Sequence, residues 1–362
     1  MTGRRSRDVG PRITATAAAT ALVVLATLAQ ADTPPSKWDL ARDPSLGDSY
    51  RLHLEVQRRL AQPDGRDYGF SATHESEKAT VRSMLERAHA EKSPDVRLRF
   101  DLGHVYALLG RTEDPSLYKR AADVLQAAIA IAPDHPAVEE AWGDLADVCG
   151  HIGDHECERR AYHMLLRLRT EEVERGTSIL NLAETEMHLG NLKEAIDGYH
   201  EALRLASRYP SRTLAPLAMW GLAVALDRSG DRVGADKQAL AVLQMQTSSG
   251  MTGLLRSSGV FFYPDYELSW YDGVGASALA RKATSPVETA RYWKAAEDSF
   301  ASYVRGAQRA PAPALAPAPA PDRWLELAKV RQAAAKSERE KAEKKRGKIA
   351  PQPQLDDDET PR

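Results

Sequence analysis

The densest concentration of reactive side chains in this 362-residue chain is Cys149-Gly-His151-Ile-Gly-Asp154-His155-Glu-Cys157. Two thiolates and two imidazoles suffice for tetrahedral zinc, although interleaved C-x7-C and H-x3-H is not a known ligand spacing. These are the chain's two cysteines. A Cys149–Cys157 disulfide is therefore a second reading, and two separate thiols packed as small apolar groups a third. No G-x-S-x-G, H-E-x-x-H, G-x4-G-K-[ST] or G-x-G-x-x-G occurs. Ten histidines are scattered, and no Ser/His/Asp grouping can be argued from spacing. We expect no catalytic residue, no metal and no cofactor.

Two further clusters carry binding chemistry rather than reactions. Phe261, Phe262, Tyr263, Tyr266, Trp270 and Tyr271 fall within eleven residues. They suit either a recognition ledge or, as aromatics more often do, the packing of an irregular junction. Lys336 to Lys348 carries seven positive and three negative charges. It suits a peripheral contact with anionic lipid or cell wall, or simply a solvated charged helix.

The elements that position these groups must be helical. The chain has 57 alanines and is 28% charged, and Ala loses no side-chain entropy on entering a helix. A net charge of −2 gives no reason to expect nucleic acid. At the N-terminus, Arg4, Arg5, Arg7 and Arg12 precede an uncharged run from Ile13 to Ala29 that closes on Ala29-Gln30-Ala31. A basic region, an apolar region and an A-x-A site together make a secretory signal. The expected address is the periplasm or cell envelope. Cleavage after Ala31 would remove a net +3, leaving the mature chain at −5.

Four segments repeat a pattern: Leu102-Gly103, Leu145-Ala146, Leu182-Ala183 and Leu222-Ala223, each with a glycine seven residues after the second member. Those glycines, Gly110, Gly153, Gly190 and Gly230, are expected to end helices by adopting positive φ. Ala195, Tyr199, Ala202 and Ala235, Ala239, Val242 then follow at i, i+4, i+7, one face of a returning helix. Glu158 stands where the second copy should carry a small residue.

The pattern resembles the tetratricopeptide repeat (TPR), whose W-x2-L-G-x2-Y…A-x3-F-x2-A…P consensus is matched best by ILNLAETEMHLGNLKEAIDGYHEALRL. The resemblance implies an all-α fold, a right-handed superhelical solenoid of antiparallel helix pairs. Its expected segments are a signal peptide (1–31), capping helices (32–96), four repeats (97–245), a degenerate fifth repeat with the aromatic segment (246–309), an Ala-Pro linker (310–321), a charged helix (322–349) and an acidic tail (350–362). Capping helices are expected over Tyr50–Ala61 and Glu75–Glu91, docking of about two turns around Trp324, Leu327, Ala328, Val330 and Ala334, and fraying over 336–348.

The family presents the first helix of each repeat to a partner. By register, the resemblance assigns to that face Arg97, Phe100, Asp101 and His104; Glu140, Asp144, Asp147 and His151; Thr177, Leu180, Glu184 and His188; and Leu217, Trp220, Val224, Asp227 and Arg228. The Lys-Asn-Asn carboxylate clamp of chaperone adaptors is absent. Six acidic positions against two basic ones imply a basic or neutral protein segment as partner, with Trp220 as an exposed anchor. The function so implied is a non-catalytic protein-interaction scaffold; the alternatives are an enzyme supported on the helical array and a wall or lipid tether. If the N-terminal reading holds, intact-mass measurement of envelope material should give a chain beginning at Asp32, and a full-length cytoplasmic species would contradict it.

Overall fold

The structure, a computed structural model, describes residues 34–61, 72–208, 213–245, 253–256, 264–309 and 322–347. Every regular element among them is a helix. The signal-type segment, Phe261 to Tyr263, the Ala-Pro linker and the acidic tail lie outside the described residues. No described helix is long and apolar enough to cross a membrane. The chain divides into two compact units, Met1–Asp144 and Leu145–Arg362.

The first unit holds α1 (Lys37–Arg42), α2 (Ser45–Leu60), α3 (Ala72–Arg87), α4 (Val96–Thr112) and α5 (Ser116–Ile131). Helix α6 (Val138–Ile152) spans the division. Ser36 opens α1 with a capping box, and the Asp95 side chain accepts from Arg97 N at the start of α4, satisfying donors that a helix start leaves free. Helix α3 ends at Arg87, short of the expected Glu91, because His89 turns the chain through a left-handed conformation (φ 51°). Helix α2 begins before the expected Tyr50. Leu98, Leu102, Val105 and Leu109 of α4 bury against α5, and Val56, Val81 and Leu85 complete the core.

The second unit continues with α7 (His155–Leu168), α8 (Glu172–Leu189), α9 (Leu192–Arg208), α10 (Leu214–Ser229), α11 (Arg232–Met245), α12 (Leu268–Lys282), α13 (Pro286–Arg309) and α14 (Leu325–Arg346). Each of these helices packs on the next, and α8 also touches α10, and α10 touches α12. That is the contact pattern of stacked, TPR-like helix pairs, in which the first helix of one pair meets the first helix of the next. Gly153, Gly190 and Gly230 take the expected positive φ. Gly110 does not. Helix α4 runs on to Thr112, and Gly110 instead makes room for the Tyr118 ring.

The segment read as a degenerate fifth repeat forms a helix pair, and the expectation for the C-terminal segment is corrected toward more order. The fifth repeat is a full helix pair, α12–α13, in which Gly273 lies against Phe300 and Trp270 meets Phe300 and Tyr303 edge-on. Tyr266, Trp270 and Tyr271, the described part of the aromatic cluster, pack this region. The charged C-terminal segment is a 22-residue helix rather than two turns and a frayed end. Ala328, Arg331, Ala335 and Ala342 form its buried stripe, while Val330 is exposed. Arg339 Nε donates to Glu297 on α13 at 2.7 Å. Asp322 anchors the segment's start, accepting from the Tyr266 and Tyr303 hydroxyls at 2.8 and 3.0 Å and from Trp324 N at 2.8 Å.

Ala195 is fully buried where α9 crosses its neighbours. Ala195→Leu should lower stability by about 1–3 kcal/mol through overpacking. Trp220→Ala should cost about 3–5 kcal/mol, because Trp220 is also fully buried. Chemical denaturation of both variants checks the pair.

Candidate functional site

In the first unit the register positions of α4 face other parts of the same unit. Phe100 is buried and stacks on His135, with centroids 5.1 Å apart. Asp101 is buried, with one carboxylate oxygen 2.8 Å from His53 Nδ1 and the other accepting from Gln57 Nε2 at 2.8 Å. Both partners come from α2, so the cap helix covers this part of the expected face. Arg97 pairs with Asp95 at 2.8 Å. His104 Nδ1 lies 2.7 Å from Asp144 Oδ2 and 3.9 Å from Glu140. Burial opposes charge on His104, but the Asp144 hydrogen bond and the charges of Asp144, Glu140 and Asp101 outweigh it. Its pKa is pushed up to about 9.

In the second unit, Asp147 and His151 stand one turn apart on α6, with 3.8 Å between His151 Nε2 and Asp147 Oδ2. The sulfurs of Cys149 and Cys157 are bonded, with the Cα atoms 5.8 Å apart. The disulfide reading is therefore the one observed, and the bond ties α6 to α7 beside His151. Across the same turn Glu158 faces Gly150, so a glycine on α6 makes room for the larger side chain. His155 Nδ1 lies 2.8 Å from Glu158 Oε2, and the His155 ring stacks on His188 of α8 at 4.6 Å, nearly parallel. Among the described residues no group of three His, Cys, Asp or Glu is placed to hold a metal.

Along α8, Leu180 is buried in the core, whereas Glu184 and His188 stay partly exposed. Burial raises the Glu184 pKa to about 8, helped by the charges of Glu158 and Glu267 and opposed by Arg228 and by the Tyr271 hydroxyl that donates to it. Glu184 is thus protonated at neutral pH. Burial and the charges of His155 and Arg228 keep His188 neutral.

The register positions of α10 are corrected outright. Trp220, Val224, Asp227 and Arg228 are buried and offer no surface to a partner. Arg228 pairs with Glu267 in the interior and lies over the rings of Trp270 and Trp324, at 4.5 and 4.9 Å. Asp227 accepts from Trp270 Nε1 at 3.1 Å and from Arg331 Nε at 2.9 Å. Packing by α12 and the C-terminal segment consumes this part of the face, and no feature of the repeat register announces it.

These pairings also revise the charge of the face. Of the six acidic positions, Asp101 is buried against His53 and Gln57, Asp144 is matched by His104, Asp227 by Arg331, and Glu184 is protonated. Glu140 lies 3.9 Å from His104 and Asp147 3.8 Å from His151, with side chains 71% and 36% exposed. The surface that persists in the second unit, Asp147, His151, Glu184 and His188, is a hydrogen-bonding strip in which Glu184 and His188 are neutral. His53, Gln57 and Glu267 complete these arrangements and were not legible as site residues, being polar residues whose orientation the repeat does not fix; Tyr271 was legible only as a member of the aromatic cluster.

The sequence matches no known family profile and no curated protein. Among solved structures it is similar to the crystal structure of a Signal Transduction ATPase with Numerous Domains (STAND) protein with a tetratricopeptide repeat sensor from Pyrococcus horikoshii. The TM-score is 0.45 at 13% identity, covering 91% of this chain and 47% of that one. This chain thus spans about half the length of that structure.

The Glu184 shift has a stability consequence of definite sign. Its folded pKa lies above the unfolded value, so the folded state holds the proton more tightly, and stability falls as pH rises from about 4.5 to about 8. Glu184→Gln cannot ionise. Thermal melts should find it equal to wild type at pH 5 and about 3 °C or more higher at pH 8.5.

Proposed function

We propose that the protein is a non-catalytic scaffold of the cell envelope that holds an extended, neutral segment of a protein partner along α6 and α8. The observation that carries this reading is the segregation of side chains on those two helices. Their small and apolar residues, among them Ala146, Ala183 and Met187, are buried. Asp147, His151, Glu184 and His188 stand partly exposed beside them. Neutral Glu184 and His188 next to an apolar core suit a polypeptide backbone and polar side chains better than a strongly charged ligand, because little desolvation of charge is needed at them. A basic segment is the weaker choice once four of the six carboxylates are matched or protonated.

The envelope address rests on the N-terminal basic, apolar and A-x-A pattern. It is supported by the Cys149–Cys157 bond, since disulfides persist in oxidising compartments. The charged C-terminal helix has no part in the proposal; of its cations, Lys329, Arg339 and Lys341 pair with Glu326, Glu297 and Glu338.

Site-specific photo-crosslinking in envelope preparations tests the reading. A photoreactive residue in place of Asp147 should yield one discrete protein adduct. The same residue in place of Lys193, 82% exposed on α9, should yield none. Equal labelling from both positions, or none from either, would contradict the proposal.

A further inference from the structure

A cavity of about 500 Å³ lies among α10, α11, α12, α13 and α14, with no lining residue from α6 or α8. That volume falls within the range of small-molecule sites, roughly 300–1,000 Å³. Val274, Trp293 and Phe300 give it an apolar wall, while Arg232, Arg281 and Arg331 stand along it. Three carboxylates, Asp227, Asp236 and Glu338, also line it, so its charge must be read pair by pair.

Two guanidiniums are committed. Arg281 pairs with Asp236 and lies 5.2 Å above the centre of the Trp293 ring. Arg331 donates to both Asp227 carboxylate oxygens and to its backbone carbonyl. Glu338 accepts from Lys341 at 2.6 Å. Arg232 is the remainder. Its guanidinium has no hydrogen bond or ion pair among the described residues, and every lining carboxylate already has a partner.

The electrostatics agree with the geometry. Arg232 is exposed at the start of α11; desolvation against the cavity wall and the neighbouring charges of Arg331 and Arg281 lower its pKa, outweighing Asp227 and Asp236. A cation placed among like charges gains most from an added anion, and a hydrogen bond to a charged group is stronger than one between neutral groups. The pocket therefore offers one unmatched cation beside an aromatic, apolar wall.

We propose that this cavity binds a small monoanionic organic molecule, its apolar body against Trp293 and Phe300 and its anionic group on Arg232. The site is independent of the proposed partner strip, since no residue is shared between them. A dianion lacks a second unmatched cation, and a neutral molecule would leave Arg232 as it is.

Fluorescence titration of the full chain with 8-anilinonaphthalene-1-sulfonate, a monoanionic aromatic probe, tests this. The expected result is saturable one-to-one binding, reversed by octanoate and not by octanol at the same concentration. Arg232→Gln should weaken probe binding about tenfold, whereas Arg42→Gln, on α1 of the other unit, should leave it unchanged. Ala334→Phe, which fills the cavity, should abolish binding; if that variant does not fold, the Arg232→Gln comparison decides alone. Absence of saturable binding, an Arg232→Gln affinity within about twofold of wild type, or equal displacement by octanol would overturn the proposal.

Discussion

The close approach of neighbouring helices is the constraint on which the rest of this structure depends. It is enforced by missing atoms. Gly221 lies against the Tyr199 ring, Gly198 against Ala183, Gly273 against Phe300, Gly103 against Leu125 and Gly110 against Tyr118. At each of these contacts a side chain on one helix occupies the space a Cβ would need on the other. Alanines at 195, 202, 235 and 239 do the same work on the returning helices. Interiors packed at this density tolerate added methylenes poorly, so the positions of these small residues set which face of each helix turns inward. The polar residues between them are then fixed on the opposite face, whatever they later bind.

That forced placement explains the electrostatics. Residues carried to the first-helix face meet different neighbours in each pair and are neutralised in different ways. Asp101 is covered by α2 and held by His53 and Gln57. Asp227 and Arg228 are overlaid by α12 and the C-terminal segment and taken up by Arg331 and Glu267. A buried charge without a partner costs several kcal/mol, so closure of these stretches requires such pairs. On α8, Glu184 accepts from Tyr271 of α12 and is accommodated by holding its proton.

Much of this was legible in the sequence. The small residues at helical spacing marked the helix pairs, and three of four turn glycines took positive φ as the pattern implied. Gly110 failed because a glycine at a helix end and a glycine at a crossing look alike until the partner, Tyr118, is known. Trp220 failed for a related reason. The repeat fixes which side of α10 faces its neighbours, but not that a helix fifty residues later and another a hundred residues later would cover that side. The C-terminal helix was underestimated because its charges conceal an alanine stripe, Ala328, Ala335 and Ala342, at seven-residue spacing. Spacing could not decide between disulfide and free thiols at Cys149 and Cys157; the geometry of the α6–α7 turn does, by bringing the Cα atoms within bonding range.

The claim that missing Cβ atoms set the helix approach is tested most directly at Gly221. In an ordinary helix interior, Gly→Ala stabilises by about 1 kcal/mol. Here the new methyl would land in the Tyr199 ring. A double-mutant cycle by chemical denaturation should find Gly221→Ala destabilising in the wild-type background and stabilising in a Tyr199→Ala background, with a coupling of about 1–3 kcal/mol. Additive effects, or a Gly221→Ala variant more stable than wild type, would contradict the account.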